Sequence, residues 1–320
     1  MRKWITIGAA FAAALTAFVG GGAPAQAQAW QELTQKELAT VSSIDLARKV
    51  LKSETIEDLR RASVNGDARA TWLLGYSYKQ GLGGVTKDLR QSYILSREAC
   101  QMGSPRGCDA LAFNLVAGNG TDKNVVEAAR LFESVCDRGI ASSCERLATV
   151  YYRGEGGIPK TLGRALFFRK RGCEIGSMYN CHLVGQMYSK GEGTEADPER
   201  AQAFNARSCD GGYGRGCFYA GRIIERAASR NDPAAFSSIA RYYEKGCALE
   251  QKDSCYNRGI IDNEGKFGRP RSTIAAVPWM EKACKFRSND ACYNLGSWLI
   301  NGRAGRTDGK RAIELLGPLC

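Results

Sequence analysis

Histidine is almost absent from this chain of 320 residues, which contains only His182. Imidazole-built zinc sites and most Ser-His or Cys-His catalytic pairs need histidines that the chain does not supply. The C-x2-C spacing of zinc ribbons and thioredoxin-like redox sites does not occur either. We therefore expect neither a metal nor a cofactor, and we interpret His182 as an ordinary helix-face residue, with a pH switch as the alternative.

Signatures of serine hydrolases are missing as well. A serine β-lactamase shows S-x-x-K, with the lysine one helical turn after the nucleophile, and no serine here has a lysine three residues later. The K-T-G motif fails because Lys160-Thr161 is followed by Leu162, and S-D-N and G-x-S-x-G do not occur. No residue is therefore predicted to be catalytic.

Long apolar runs are confined to the N-terminus. Arg2 and Lys3 precede an apolar stretch over residues 4–19, and two overlapping A-x-A sites follow at 25–27 and 27–29. This order is typical of a secretory signal peptide, so residues 1–29 are predicted to be removed and no transmembrane segment is expected after cleavage. The expected location is periplasmic or secreted.

Cysteine is abundant and regularly spaced. Of the 13 cysteines, twelve form six pairs with seven residues between the partners, and successive pairs follow at intervals of 36 to 38 residues. The pairs are Cys100 and Cys108, Cys136 and Cys144, Cys173 and Cys181, Cys209 and Cys217, Cys247 and Cys255, and Cys284 and Cys292. Such a period indicates a repeat array. Cys320 falls on the next interval and has no partner.

Other positions repeat with the cysteines. A small residue follows the second cysteine of each pair by four positions, and a large apolar residue precedes the first by five, as Gly185 and Phe168 illustrate. Apolar residues four apart indicate helices, and Gly-x-Gly turns such as Gly191–Gly193 separate them. Runs of alternating β-branched residues are absent. The sequence predicts an all-α superhelix of about seven helix–turn–helix units over residues 63–320.

The paired cysteines suggest local disulfides. Each pair flanks a short connection between two helices, which can bring the Cα atoms within the range that a disulfide needs. An extracytoplasmic location favours this over metal binding or redox chemistry, which stay open as alternatives. In the first unit Ser63 and Thr71 take the two cysteine positions, so that unit is expected to lack a disulfide.

The quoted repeats resemble a known family. Residues 71–83 and 181–193, with their terminal Gly-x-Gly, are similar to Sel1-like repeats, and the cysteine spacing resembles the secreted bacterial Hcp subfamily. The resemblance covers about residues 53–320 and implies a right-handed superhelix with one disulfide per unit. Members of that subfamily are often named β-lactamases or penicillin-binding proteins, whereas the broader family mainly connects proteins to one another.

Several features depart from the repeat. Arg226–Pro233 replaces a Gly-x-Gly turn, Pro278 falls inside a predicted helix that should start late or be kinked, and Gly317-Pro318 should end the last helix early. Before the repeats, residues 30–62 are predicted to be a helical segment that covers the first unit. Ser43 and Ser53 are its expected helix caps.

The candidate binding site is the concave groove of the superhelix. Stacked first helices would repeat one position two residues after each second cysteine, where Arg146, Tyr219, Asn257 and Asn294 stand. Asparagine can hold a peptide backbone through paired donor and acceptor contacts, although these residues are also compatible with an ordinary polar surface. The basic run Arg169–Arg171 is interpreted as a solvated outer face, or alternatively as a patch for acidic partners.

Three functions remain open at this point. We favour a non-enzymatic scaffold that binds a peptide, a protein or an acidic cell-envelope component, since the net charge is +12. Nucleic acid is not expected in that compartment. The alternatives are a β-lactam hydrolase or penicillin-binding protein of the Hcp type, and a redox or haem-handling assembly factor.

Overall fold

The computed structural model describes residues 29–34, 37–38, 41–229 and 232–317. These ranges are all-α, and sixteen helices follow one another along them. The helices are α1 (Ser43–Val50), α2 (Ile56–Val64), α3 (Ala68–Gln80), α4 (Leu89–Gln101), α5 (Pro105–Ala117), α6 (Val125–Asp137), α7 (Ala141–Arg153), α8 (Leu162–Glu174), α9 (Met178–Lys190), α10 (Pro198–Asp210), α11 (Gly214–Ala227), α12 (Pro233–Ala248), α13 (Lys252–Glu264), α14 (Thr273–Lys285), α15 (Asn289–Ile300) and α16 (Gly309–Leu316). Residues 1–28 of the predicted signal peptide and Cys320 lie outside the described residues.

The helices form a superhelix of antiparallel pairs. Each helix packs mainly against its two neighbours in the chain, and the first helices of successive pairs also touch, as α3 touches α5 and α9 touches α11. We call the first helix of each pair, from α3 to α15 in odd numbers, an inner helix, and the second an outer helix. This confirms the predicted all-α repeat architecture.

Small residues let the two helices of a pair approach closely. A Cβ atom placed on Gly185 would lie 2.3 Å from Nδ2 of Asn205 on the next outer helix and 3.0 Å from the Ala201 carbonyl oxygen. The large residue five positions before the first cysteine is buried in the core: Phe168 is 2 % exposed, and its ring stacks 5.8 Å from that of Tyr151 on the preceding inner helix. Both predicted packing positions therefore have the expected role.

Six disulfides join the pairs to one another. Each connects the last turn of an outer helix to the first turn of the next inner helix, with Cα–Cα distances from 4.4 Å to 4.8 Å. All six link the cysteines that were predicted to pair. In the first unit, the hydroxyls of Thr71 and Ser63 lie 2.8 Å apart, so a hydrogen bond occupies the position of the missing disulfide.

Most inner helices end in the same way. The glycine after the last residue of α3, α5, α7, α9 and α13 adopts a left-handed conformation, which an L side chain would strain. Helix α11 ends instead at Ala228 in an extended conformation, and the outer helix that follows has 16 residues rather than 13. The departure seen at Arg226–Pro233 is thus a real change of turn and helix length.

Two predicted helix caps are wrong, and one of two alternatives for a third helix is not observed. Helix α1 is capped by Ser42 rather than Ser43, because Ser42 accepts from the Asp45 amide. Helix α2 is capped by Thr55 rather than Ser53, since Thr55 and Asp58 form a reciprocal capping box. Helix α14 does not start late, because Pro278 lies on its exposed side, where water can satisfy the carbonyl group that has no proline N–H to bind. Helix α16 ends at Leu316, before Gly317, as expected.

Candidate functional site

The inner helices already hold a peptide segment, which belongs to this chain itself. Nη1 of Arg69 on α3 lies 3.4, 3.0 and 3.2 Å from the carbonyl oxygens of Trp30, Gln31 and Leu33. The Trp30 side chain is completely buried and donates from Nε1 to Asp67 at 2.9 Å. The segment before α1 is therefore held through its backbone carbonyl groups and through buried apolar side chains, since Leu33 and Leu38 are 2 % and 9 % exposed.

Arg106 makes the equivalent contact one unit further on. Its Nε and Nη2 donate to the carbonyl oxygens of Leu38 and Val41, each at 2.6 Å, and its Nη1 lies 3.2 Å from Oγ of Ser43. Arg106 is only 4 % exposed. Arg69 and Arg106 both stand two residues before the second cysteine position of their units, so one repeat position binds the segment twice.

A cavity of about 470 Å³ lies between residues 41–44 and the inner helices α3, α5, α7 and α9. We call it the basic chamber. The residues that line it are Val41–Ile44, Tyr76, Lys79, Arg106, Ala141, Ser142, Glu145, Arg146 and Gly176–Tyr179. Of the four predicted groove residues, Arg146 is the one that lines this chamber.

Two cations in and beside the chamber lie against one aromatic ring. Lys79 Nζ is 3.5 Å from the ring centroid of Phe113, and the Arg146 guanidinium is 4.9 Å from it. Arg146 also forms a 2.6 Å ion pair with Oδ2 of Asp109, whose side chain is almost fully buried. Burial, assisted by repulsion from Arg146, lowers the pKa of Lys79 to about 8.

Burial also shifts the pKa values of two neighbouring groups, the Glu145 carboxyl and the Arg169 guanidinium. Burial raises the pKa of Glu145, so this carboxyl carries less negative charge than an exposed glutamate at the same pH. Burial likewise lowers the pKa of Arg169, which stacks over Tyr152 at 4.9 Å and has an Nε without a hydrogen-bond partner among the described residues. Arg169 is therefore half-buried against an inner helix, which corrects its assignment to a solvated face. Arg171 is exposed, as expected.

Tyr219 lies in a second cavity further along the groove. This cavity measures about 300 Å³ and is lined by Gln186, Ser189, Lys190, Asn205, Tyr219, Arg222, Ile223 and Arg226. Behind it, His182 is buried 4.9 Å from the Tyr219 ring, with Nδ1 2.9 Å from Oδ1 of Asn205. The structure thus places His182 on the buried face of its helix, α9.

The two predicted asparagines occupy later turns of the superhelix. Nδ2 of Asn257 donates to the Tyr243 hydroxyl and Nδ2 of Asn294 to the Tyr256 hydroxyl, both at 3.3 Å. Both asparagines are half-buried and line neither of the two cavities. The four predicted residues are therefore spread along successive inner helices and are not gathered into one site.

Sequence reasoning missed the residues that contact the bound segment. It examined the position two residues after the second cysteine, whereas Arg69 and Arg106 stand two residues before it. A signal was present, because Arg215 repeats the same residue type at the same position of a later unit. Lys79 gave no such signal, since its importance comes from burial beside Phe113 on another helix.

The described ranges contain no group of three or more His, Cys, Asp or Glu side chains that could hold a metal ion. In the same part of the chain, no helix has the length and hydropathy needed to cross a membrane.

The repeats match a known family. The Sel1 repeat family matches residues 68–104, 105–140, 141–177, 181–213, 252–285 and 289–317, together more than half of the chain. The chain belongs to the Sel1 repeat family. The gap in this match, between residues 213 and 252, contains the α11–α12 pair with its altered turn and longer outer helix.

Curated relatives carry one name. The chain is 29 % identical over 151 residues to cytochrome c oxidase assembly factor 7A of Xenopus laevis, a match that covers 46 % of this chain and 65 % of the relative. It is 34 % identical over 121 residues to cytochrome c oxidase assembly factor 7 of Mus musculus, covering 36 % and 51 %. The chain thus spans less than two thirds of the length of these relatives.

Solved structures share the fold. A protective antigen of uropathogenic Escherichia coli with an SLR fold superposes with a TM-score of 0.70 at 22 % identity, covering 82 % of this chain and 55 % of the antigen. A Sel1 repeat protein of Oxalobacter formigenes gives 0.64 at 20 % identity, covering 91 % and 84 %. At this identity the two likenesses establish architecture alone.

Proposed function

We propose that this Sel1 repeat scaffold is not an enzyme and that it binds a peptide segment of a partner protein along its inner helices. The observation that carries the proposal is the capture of backbone carbonyl groups by Arg69 and Arg106 at one repeat position. Arg215 stands at the same repeat position of a later unit, so the mode that holds the chain's own segment can recur there for a partner segment. Backbone contacts of this kind fix a peptide in place while leaving its sequence open.

The partner segment would use the inner helices beyond the chain's own segment. From Glu145 onward the basic chamber, the Tyr219 cavity and the two asparagines follow along successive inner helices. In both asparagines Nδ2 donates to a tyrosine hydroxyl, and Oδ1 accepts no hydrogen bond from the described residues. This arrangement presents an oriented acceptor to a backbone N–H of the partner.

We propose that the protein is periplasmic or secreted and that it is related to the cysteine-rich Hcp subfamily of these repeats. The signal-like pattern at residues 1–29 supports the location. The six local disulfides support it independently, because reducing compartments rarely maintain such bonds. They also match the cysteine spacing of that subfamily.

The test uses a random peptide library displayed on phage and selected against the folded, oxidised protein. A selected peptide is then measured by calorimetry against the Asn257→Ala/Asn294→Ala double variant, which should bind at least about tenfold more weakly, since two hydrogen bonds are each worth roughly 1 kcal/mol. An Arg130→Ala/Glu199→Ala variant on outer helices α6 and α10 is the matched control and should bind normally.

Binding that survives the asparagine variant unchanged, with the variant as stable as the parent to heating, would remove these asparagines from the site. Arg146→Ala is less suitable for this test, because it would leave the buried Asp109 without its ion-pair partner. A peptide that bound only to the outer-helix control surface would contradict the proposal as a whole.

The relatives' name favours a second candidate, in which the partner is a subunit of a respiratory oxidase during assembly. The observation behind it is the 29 % to 34 % identity to proteins named cytochrome c oxidase assembly factor 7. Deleting the gene should then lower the amount of assembled oxidase without lowering the amounts of its messenger RNAs. Normal oxidase content in the deletion strain would remove this candidate and leave peptide binding in place.

A further inference from the structure

One cation in the basic chamber lacks an acceptor. Lys79 is half-buried between the rings of Phe113, 3.5 Å from Nζ, and Tyr76, 5.9 Å from it. Among the described residues no oxygen accepts a hydrogen bond from its ammonium group. Removing an ammonium from water costs free energy that ring contacts only partly return, so buried lysines normally have a carboxylate or carbonyl partner.

The nearby carboxylate cannot fill this role. Asp109 is occupied on both oxygens: Oδ2 pairs with Arg146 at 2.6 Å, and Oδ1 accepts from the Ser143 hydroxyl at 2.7 Å. Burial raises the pKa of the Glu145 carboxyl. Neither residue forms an ion pair with Lys79.

The remaining charges around the chamber leave it positive. Lys87 and Arg146 repel Lys79, and Arg106 gives its donors to the segment before α1. From the side of α1, Asp45 and Arg48 act on Tyr76 with opposite signs. The chamber therefore offers at least one unused ammonium and the free part of the Arg146 guanidinium to an anion.

We propose that the basic chamber binds the carboxylate of a ligand with an apolar body, between Lys79 and Arg146. Its walls supply the rest of the recognition, because Ile44, Tyr76, Met178 and Tyr179 line the same cavity. The volume of about 470 Å³ suits one amino-acid-sized group. A phosphate dianion fits less well, since it needs more donors than the chamber has free.

The inference rests on the proposed function in placing a ligand on the inner helices, and it adds the chemistry of one subsite. A terminal carboxylate of a peptide and an acidic side chain within one share this chemistry. Binding has a signature that a structural lysine would lack: the bound carboxylate stabilises the ammonium and raises the pKa of Lys79 from about 8 toward its ordinary range.

The experiment titrates the lysine Cε and Nζ signals of the full oxidised protein by NMR, with the Lys79 signal assigned from a Lys79→Arg variant. The probes are N-acetylphenylalanine, its amide, N-acetylglutamate α-amide and inorganic phosphate. We expect N-acetylphenylalanine to raise the Lys79 midpoint by about one pH unit at saturation. The neutral amide should leave it unchanged.

Variants separate a binding role from a structural one. Lys79→Met should weaken N-acetylphenylalanine binding about tenfold or more, whereas Lys282→Met should not, although Lys282 also lies 5.0 Å from a ring centroid, that of Trp279. Binding by N-acetylglutamate α-amide would show that side-chain carboxylates are accepted too. Its absence would restrict the site to terminal carboxylates.

Three results would overturn the subsite: equal binding of the acid and the amide, an unchanged Lys79 midpoint at saturation, or a phosphate that raises the midpoint as far as the acid does. Failure of this test is distinguishable from failure of the proposed function. Library-selected peptides that still depend on Asn257 and Asn294 would keep peptide binding while excluding the chamber as a carboxylate site.

Discussion

His182 shows how one buried side chain links stability to pH. The side chain is 2 % exposed, donates from Nδ1 to Oδ1 of Asn205 at 2.9 Å, and packs 5.6 Å from the Tyr213 ring. Burial lowers its pKa, and the positive charge of Arg215 acts in the same direction. The folded protein therefore favours the neutral imidazole.

The expected consequence is a loss of stability in mild acid. The unfolded chain takes up a proton on His182 as the pH falls through about 6.5, whereas the folded protein resists until its lower pKa is reached. The free energy of unfolding, measured with urea from pH 7.5 to pH 5, should thus fall more steeply for the parent than for His182→Gln. Parallel curves for the two proteins would contradict this.

The Ser63–Thr71 pair offers a second test at the level of single residues. Their hydroxyls lie 2.8 Å apart at the positions where every later unit has a disulfide. A Ser63→Cys/Thr71→Cys variant should form a seventh disulfide and raise the free energy of unfolding by about 2.5 kcal/mol, the chain-entropy value for so short a loop. Urea unfolding under oxidising conditions measures the gain, and intact mass confirms the bond.

The single Ser63→Cys variant is the control, since it loses the hydrogen bond without gaining a bridge. The prediction fails if the mass of the double variant shows the new disulfide but its unfolding midpoint does not rise. In that case the hydrogen bond already stabilises the first unit as much as a disulfide would.

At the scale of elements, a buried arginine, Arg106, stabilises the segment before α1. Arg106 satisfies the carbonyl groups of Leu38 and Val41, and an aliphatic residue in its place would leave both without a donor. Arg106→Leu should lower the free energy of unfolding by about 1–3 kcal/mol and make residues 29–44 the first site of proteolysis. Arg97→Leu, on outer helix α4, should change neither. Limited trypsin digestion followed by mass spectrometry reads the cleavage order.

The sequence predicted the helices and disulfides correctly where residues close in the chain determine them. The cysteine spacing, the glycine turns and the small residue at Gly185 predicted the helix pairs and all six bridges, because each depends on neighbours within one or two turns. The caps of α1 and α2 were displaced because several Ser and Thr residues compete there, and Asp45 and Asp58 settle which of them is used.

The groove could be predicted only in part, because its contacts join residues far apart in the sequence. Arg146 does line the basic chamber. The hydrogen bond from Arg106 to the Leu38 carbonyl, however, joins residues 68 apart in the sequence, and Lys79 on α3 contacts Phe113 on α5. Periodicity finds positions that repeat. It does not find a segment outside the repeats that lies across them.

For the molecule as a whole, the arrangement of charge distinguishes the two ends of the groove. The position two residues before the second cysteine carries arginine in the first two units, serine and tyrosine in the next two, arginine again at Arg215, and then Asp253 and Asp290. The row is thus basic at its beginning and acidic at its end. We expect a bound peptide to take one direction along the row, with its negative groups toward the basic chamber.

The basic chamber also allows a test of the β-lactam hydrolase that the sequence left open as an alternative. The basic chamber does combine Lys79, whose pKa is about 8, with serines 42, 43, 142 and 177, so it contains the residue types of a Ser-Lys hydrolase. Each of these serines is already engaged: Ser42 and Ser177 cap helices, Ser43 meets Arg106, and Ser142 meets Asp109. None is hydrogen-bonded to Lys79.

Nitrocefin hydrolysis by the purified, oxidised protein should therefore stay at the rate of buffer, because a serine without an adjacent base is not activated. The decisive comparison is nitrocefin turnover by the Lys79→Met variant. A signal that it leaves unchanged comes from a contaminant, whereas turnover that disappears with Lys79→Met and persists with Lys282→Met would make the chamber an active site and contradict the scaffold proposal.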